Sequence, residues 1–369
     1  MRVLVVCDFD LGLLDGLSKT FDLVSLRDRV LVRKRDNTEW RDSRTRVFNL
    51  PIRVYKEEEL VHLRPALSLG AYLVMATIVG IIEVVKRRLD AVLAIYAFPQ
   101  GLVATIVGML TRRKVAVLTD GGDLDILLRR PFIGSLILAS LRKVTVVATL
   151  NKTKASMLSS LGIRTEIICP IIGVDTSHFQ FVSFEDKERG SVLFVGRLSK
   201  EKCVDVLLEA CSILRREGVR FKLRLVGDGP LRNQISETVR QLHLTHSVDI
   251  EGYVSHSEIH EYFSKSSVFV LPSIREGLSV ALIEAMSSGC LCIVSDIPDN
   301  REVIRHGHNG FTFHANDEQD LAKEILGAIS QQPHALSSVP LNARSLVEDT
   351  YSVQSVAKSI GMVLSRLSA

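Results

Sequence analysis

The chain has 369 residues, more than one hydrophobic core usually organises, and 46% hydrophobic with 24% charged residues excludes a disordered or fibrous protein. The net charge of +4 hides an asymmetry: residues 1–180 hold 26 Lys+Arg against 18 Asp+Glu, and residues 181–369 hold 20 against 24. Two domains with different partners are expected, the basic first one facing something anionic. The six cysteines at 7, 169, 203, 211, 290 and 292 include no CxxC pair and make no disulfide framework, so a reduced, cytoplasmic compartment is expected. The apolar run Val3–Cys7 is too short for a signal peptide and is ended by Asp8 and Asp10.

In chain order, that first run reads as a buried parallel strand. Similar runs follow at 91–95, 115–118, 144–149 and 166–169, with helical stretches between several of them. The pattern restarts at 191–199 (SVLFVGRLS), with a helical stretch over 205–216 and strand-like runs at 222–226, 248–250, 268–271 and 291–294. This alternation predicts an α/β protein of two tandem doubly wound, Rossmann-like domains. The domains are set at 1–172 and 173–345, with residues 346–369 as a C-terminal helix returning to the first.

Two stretches of the first half stand apart. Residues 33–46 form a strongly basic segment with the only Trp, Trp40, readable as a solvated loop or as a surface touching acceptor or lipid headgroup. Ala66–Ile82 is uncharged over 17 residues and is followed by Glu83 and Lys86-Arg87-Arg88. It falls short of the roughly 20 apolar residues of a membrane span. A helix buried on the sheet is the first expectation, and interfacial insertion the second.

The chemistry-bearing residues concentrate in the second half. Glu276 follows a strand and a turn, and Glu284 comes eight residues later inside a helix expected from about Ser279 to Gly289. Eight helical residues rise about 12 Å, too far for two carboxylates to share one bond but suited to gripping two hydroxyl-rich ends of one ligand. Backbone N–H groups of Gly277, Leu278 and Ser279 between them can face an anion. Arg197 and Lys202, in FVGRLSKEK, sit after a strand at the crevice where doubly wound folds bind ligands, and two cations there can neutralise a diphosphate without metal. Gly227, Asp228 and Gly229, in VGDGP, supply a third strand-end loop whose glycines permit close backbone approach. A solvated helix face and surface cations remain the bland alternatives for each feature taken singly.

Arg197, Lys202, the 227–230 turn, PSIREG with Glu276 and Glu284, SDIPDNREVI and GHNGFTF follow the order and spacing of the retaining glycosyltransferases of family 4, which this chain resembles over 190–330 and more loosely in GVDTSHF (173–179). In the first half, IYAFPQGLVA and LTDGGDLD resemble that family's acceptor-domain segment. The resemblance implies a GT-B fold of two facing Rossmann domains and a hexosyl transfer from a nucleotide-sugar donor without bound metal or other cofactor. The donor would be most readily a UDP or GDP conjugate, and the acceptor lipid-linked or polysaccharide. It implies that Arg197 and Lys202 hold the diphosphate, that Glu276 with Gly277 and Leu278 contacts the transferred sugar, and that Glu284 binds the ribose. No carboxylate is an obvious covalent nucleophile, so front-face displacement is implied.

Four departures stand out: Gly12 and Gly16 in place of a Gly-Gly pair, Asp120 where a His is usual, Cys203 where a Gly is usual, and Ile172 where an Asn is frequent. Asp120 is retained as a candidate catalytic residue on the acceptor side. The pairs Asp8/Asp10 and Asp123/Asp125 are weighed as metal ligands and set aside because they lie away from the diphosphate cations. The basic first half adds an expected peripheral contact with the anionic inner face of the cell membrane. Two rival readings share the fold, a sugar-nucleotide epimerase and a non-catalytic nucleotide-sugar binding protein. A dehydrogenase lacks its GxGxxG fingerprint, and nucleic-acid binding lacks a basic-aromatic pattern.

Overall fold

The computed structural model describes residues 1–6, 22–28, 45–50, 63–119, 124, 130–165, 167–331 and 333–368. Asp8, Asp10, Gly12, Gly16, Trp40, Asp120, Asp123 and Asp125 lie outside the described residues. The chain divides into two compact units, Met1–Gly173 with Val353–Ala369, and Val174–Ser352.

The first unit runs β1 (Arg2–Val6), β2 (Asp22–Asp28), β3 (Thr45–Leu50), α1 (Leu63–Arg87), β4 (Ala91–Ile95), α2 (Leu102–Thr111), β5 (Lys114–Thr119), α3 (Pro131–Leu141), β6 (Val146–Thr149), α4 (Lys152–Ser160) and β7 (Ile167–Ile168). Its strands form a parallel sheet in the order β3-β2-β1-β4-β5-β6-β7. Alternation along the strands divides the core in two. Leu4, Val6, Val92, Ala94 and Val117 face a layer containing Tyr72, Ala76 and Val84 of α1, Val103 and Val107 of α2, and Ile137 of α3. Val3, Val5, Leu93, Ala116 and Leu118 face the opposite layer, where Val356, Ile360, Val363 and Leu364 of the C-terminal helix are fully buried.

The second unit repeats the plan with β8 (Glu188–Val195), α5 (Val204–Arg216), β9 (Lys222–Val226), α6 (Arg232–Gln241), β10 (Val248–Gly252), α7 (Ile259–Lys265), β11 (Ser266–Leu271), α8 (Val280–Ser287), β12 (Leu291–Ser295), α9 (Pro298–Val303), β13 (Phe311–Phe313), α10 (Glu318–Ser330) and α11 (Ser338–Leu346). The parallel order is β10-β9-β8-β11-β12-β13, the Rossmann arrangement with its reversal between β8 and β11. Val192, Phe194, Val268 and Val270 pack on one face and Leu193, Val195, Phe269 and Leu271 on the other.

Three differences from the sequence reading have physical causes. The strands β2 and β3 are interrupted by charges (DLVSLRD, TRVFNL), and β13 is three residues long, so none carries the continuous apolar signature of its neighbours. The C-terminal segment divides at 352 rather than 345: Val174 N–H donates to the Tyr351 carbonyl and Val347 is buried in the second core. The return to the first unit, as α12, starts at Val353 and ends at Ser368. Finally, α1 is neither wholly buried nor wholly exposed. Tyr72 and Ala76 are fully buried, whereas Val74 is 59% and Val85 65% exposed.

Candidate functional site

Where a doubly wound sheet reverses its strand order, the loops after the two central strands diverge and leave a crevice above their carboxyl ends. In the second unit those strands are β8 and β11. Arg197 and Lys202 lie on the loop after β8 and Glu276 on the loop after β11, so residues 74 positions apart meet: Lys202 Nζ is 2.5 Å from Glu276 Oε1. Their side chains are 18% and 9% exposed, dry enough to strengthen the pair and open enough for a ligand to reach it. Arg197, on the same loop as Lys202, is exposed.

The loops are held by their own backbone. Gly196 N–H donates to the Val226 carbonyl and Leu198 N–H to that of Asp228, both at 3.0 Å, and Ile274 N–H donates to Glu201 across the switch at 3.0 Å. A Cβ on Gly227 would lie 1.9 Å from the Gly196 oxygen, and one on Gly229 2.3 Å from the Leu198 oxygen. The close approach these glycines allow is therefore to the neighbouring loop, which fixes Arg197. Asp228 caps the turn, accepting from Gly229 N–H at 2.7 Å and from Arg232 at 3.1 Å. Cys203, where a glycine is usual in the resembled family, has φ +45°. A left-handed position at this loop's end accounts for a glycine there.

Glu276 stands in the turn before α8, not on it. Ser279 is the N-cap, its hydroxyl accepting from Leu282 N–H at 3.4 Å. Only part of the Glu276–Glu284 interval is helical, so the 12 Å helical rise expected from sequence does not set the separation of the carboxylates. Gly277 and Leu278 lie in the turn, half-buried. The helix ends where Gly289 takes φ +79° and Cys290 N–H reaches back to the Ala285 carbonyl, a Schellman closure.

Glu284 is 3% exposed, a carboxylate that requires partners in that setting. One is His256, on the loop after β10, whose Nε2 is 2.7 Å from Glu284 Oε1. Around it gather His178, 4.4 Å ring to ring from His260, and Phe179, 5.6 Å from His256. Sequence reasoning missed His256; the H-x3-H spacing of His256 and His260 at the start of α7 was the available signal. Arg344 fastens this corner, donating to the carbonyls of Phe179 and Ser287 at 2.9 Å each and to Glu348 at 2.6 Å.

In the first unit the corresponding switch lies between β1 and β4. Tyr96, at the end of β4, has φ +80°, a strained conformation of the kind found at functional turns. Asp120 lies outside the described residues. Among the described residues no group of three or more His, Cys, Asp or Glu is gathered as metal ligands would be.

Two doubly wound parallel sheets in tandem, the second with cations and carboxylates at its switch, define the GT-B fold. The structure of Anabaena HepE in complex with UDP superposes with a TM-score of 0.75 over 99% of this chain and 100% of that one, at 16% identity. Residues 175–340 match the family model Glycosyl transferases group 1. It is 29% identical to the putative colanic acid biosynthesis glycosyltransferase WcaL of Salmonella typhimurium, over 60% of this chain and 57% of that protein. It is 32% identical to the amylovoran biosynthesis glycosyltransferase AmsK of Erwinia amylovora, over 48% and 44%. The chain thus spans about half the length of the curated relatives it matches.

Proposed function

We propose that the protein is a retaining, metal-independent hexosyltransferase. It takes a sugar from a nucleoside-diphosphate donor and passes it to a hydroxyl of a lipid-linked or polysaccharide acceptor. The observation that carries this reading is the Lys202–Glu276 pair at the β8/β11 switch, with Arg197 exposed on the same loop as Lys202 and the buried Glu284 on the helix that follows. That sequence of groups suits a ligand with hydroxyls at both ends and charge between. The UDP in HepE and the polysaccharide-forming roles named for WcaL and AmsK support the same class of donor and acceptor.

Arg197 and Lys202 hold the diphosphate, and the N–H groups at the start of α8 add to the field. Glu276 orders Lys202 and accepts from sugar hydroxyls; Glu284, oriented by His256, accepts from the ribose diol. The acceptor oxygen bonds to the anomeric carbon on the face from which phosphate departs. The carbon–phosphate-oxygen bond breaks as that bond forms, and the acceptor proton passes to the leaving phosphate. Alignment and leaving-group electrostatics supply the rate. The acceptor is met at the cytoplasmic face of an anionic membrane.

Thermal unfolding with UDP, GDP and their sugar conjugates tests the site. A ligand at 100 times its Kd adds about 2.7 kcal/mol of stability. A melting shift with one base, undiminished by chelator and weakened by Arg197→Ala and by Glu284→Ala, is expected. A shift that survives both substitutions, or that requires Mg²⁺, sinks this assignment.

A further inference from the structure

The described part of α1 carries two apolar faces. Tyr72, Ala76 and Val84 are at most 1% exposed against the sheet. On the other side Val74, Ile78, Ile82 and Val85 are 59%, 52%, 52% and 65% exposed. At about 100° per residue these four fall within an arc of about 80°, and the stripe is about 17 Å long. The neighbouring helices extend it: Met109 and Leu110 of α2 are 55% and 66% exposed, and Phe132 of α3 is 77% exposed. All three helices share the layer over one face of the sheet.

Charge completes the pattern. In a parallel sheet the crossover helices run together, so α1, α2 and α3 end along one edge. Each end is cationic and exposed: Lys86 in the last turn of the first and Arg88 just after it, Arg112 and Arg113 after the second, Arg142 and Lys143 after the third. Over residues 63–119 and 130–165 the acidic residues are Glu83 and Asp90. Glu83 is buried and bonded to Arg87, and Asp90 pairs with Arg2.

We propose that the α1–α2–α3 layer docks flat on an anionic lipid surface, with the α1 stripe in the headgroup–acyl boundary and the basic helix ends on lipid phosphates. As the place where a lipid-linked acceptor is met, it rests on the transferase reading; as a docking face it is tested separately. The helix is long and apolar enough to cross a membrane by length and composition, but its sheet-facing side chains hold the core and cannot leave it. Insertion therefore stops at the exposed stripe. A second copy is the poorer occupant, because a symmetric contact brings the same cations together.

The test is sedimentation of the full chain with vesicles of phosphatidylcholine alone or mixed with phosphatidylglycerol, for wild type and two double variants, Ile78→Asp/Ile82→Asp and Arg112→Glu/Arg113→Glu. Each basic residue at an anionic leaflet is worth about fivefold in partitioning, and each inserted isoleucine about tenfold. Wild type is expected to bind mixed vesicles and be released by salt, and each double variant to lose binding more than tenfold while keeping its nucleotide melting shift. Absent binding, or binding indifferent to both variants, overturns the proposal. So does a wild-type dimer by light scattering that the isoleucine variant dissociates without any lipid effect. If sedimentation behaves as expected and no nucleotide shifts the melting, the transferase reading fails and the docking face stands.

Discussion

Lys202 and Glu276 are bonded at 2.5 Å in a partly dry setting, and removing one leaves the other's charge without its closest partner. Glu276→Gln is expected to cost about 1–2 kcal/mol in urea unfolding, less than a fully buried pair because Lys202 retains some solvent. Under the proposed function, in which the same carboxylate accepts from sugar hydroxyls, transfer activity should fall more than a hundredfold. Similar stability with unchanged turnover would exclude that role. For His256→Ala the expected loss is about 1–2 kcal/mol, as a nearly buried carboxylate loses one hydrogen bond; His256→Gln, which can still donate, should recover most of it. The described cysteines are structural. Burial pushes the Cys169 thiol up to about 12 and raises Cys203, Cys211, Cys290 and Cys292 as well. With thiolates suppressed at neutral pH, a Cys7→Ser variant should take up less than one equivalent of thiol reagent until it unfolds. Fast labelling in the folded state would contradict that placement.

Among the elements, the loops after β8, β9 and β11 act as one braced unit. Gly229→Ala would drive a Cβ against the Leu198 oxygen, backbone that cannot swing aside. The expected cost is about 2–4 kcal/mol, with nucleotide affinity falling too because Leu198 follows Arg197. An equally stable variant with altered affinity would instead argue for direct contact between this turn and the ligand. Much of this arrangement was legible in sequence. Arg197 and Lys202 were placed by a strand ending in Gly, and Glu276 and Glu284 by a strand, a turn and a capped helix. What was not legible is that Gly227 and Gly229 serve the neighbouring loop, or that His256 meets Glu284. Both depend on which strands lie side by side, and β10 stands two strands from β8 in an order that no local pattern encodes.

At the scale of the whole molecule, the chain closes its first unit with its last helix. Val356, Ile360, Val363 and Leu364 of α12 are fully buried on the first sheet, and side chains of this kind contribute about 1.5–3 kcal/mol each. Deleting residues 353–369 is expected to abolish hydrogen-exchange protection in β4, β5 and β6 while leaving that of β8, β11 and β12 intact. Uniform loss across both sheets would mean that the units do not unfold separately. The amino-acid order alone determined the two α/β repeats, the charge division between them and the strand-end loops and helix on which the candidate residues stand, because buried parallel strands and capped helices leave local signatures of period and composition. Tertiary structure alone decided the partners. It brought Lys202 to Glu276 across 74 residues and seated α12 on the first sheet. It also turned one side of α1 outward, because an apolar helix against a sheet can bury only the face that the sheet covers.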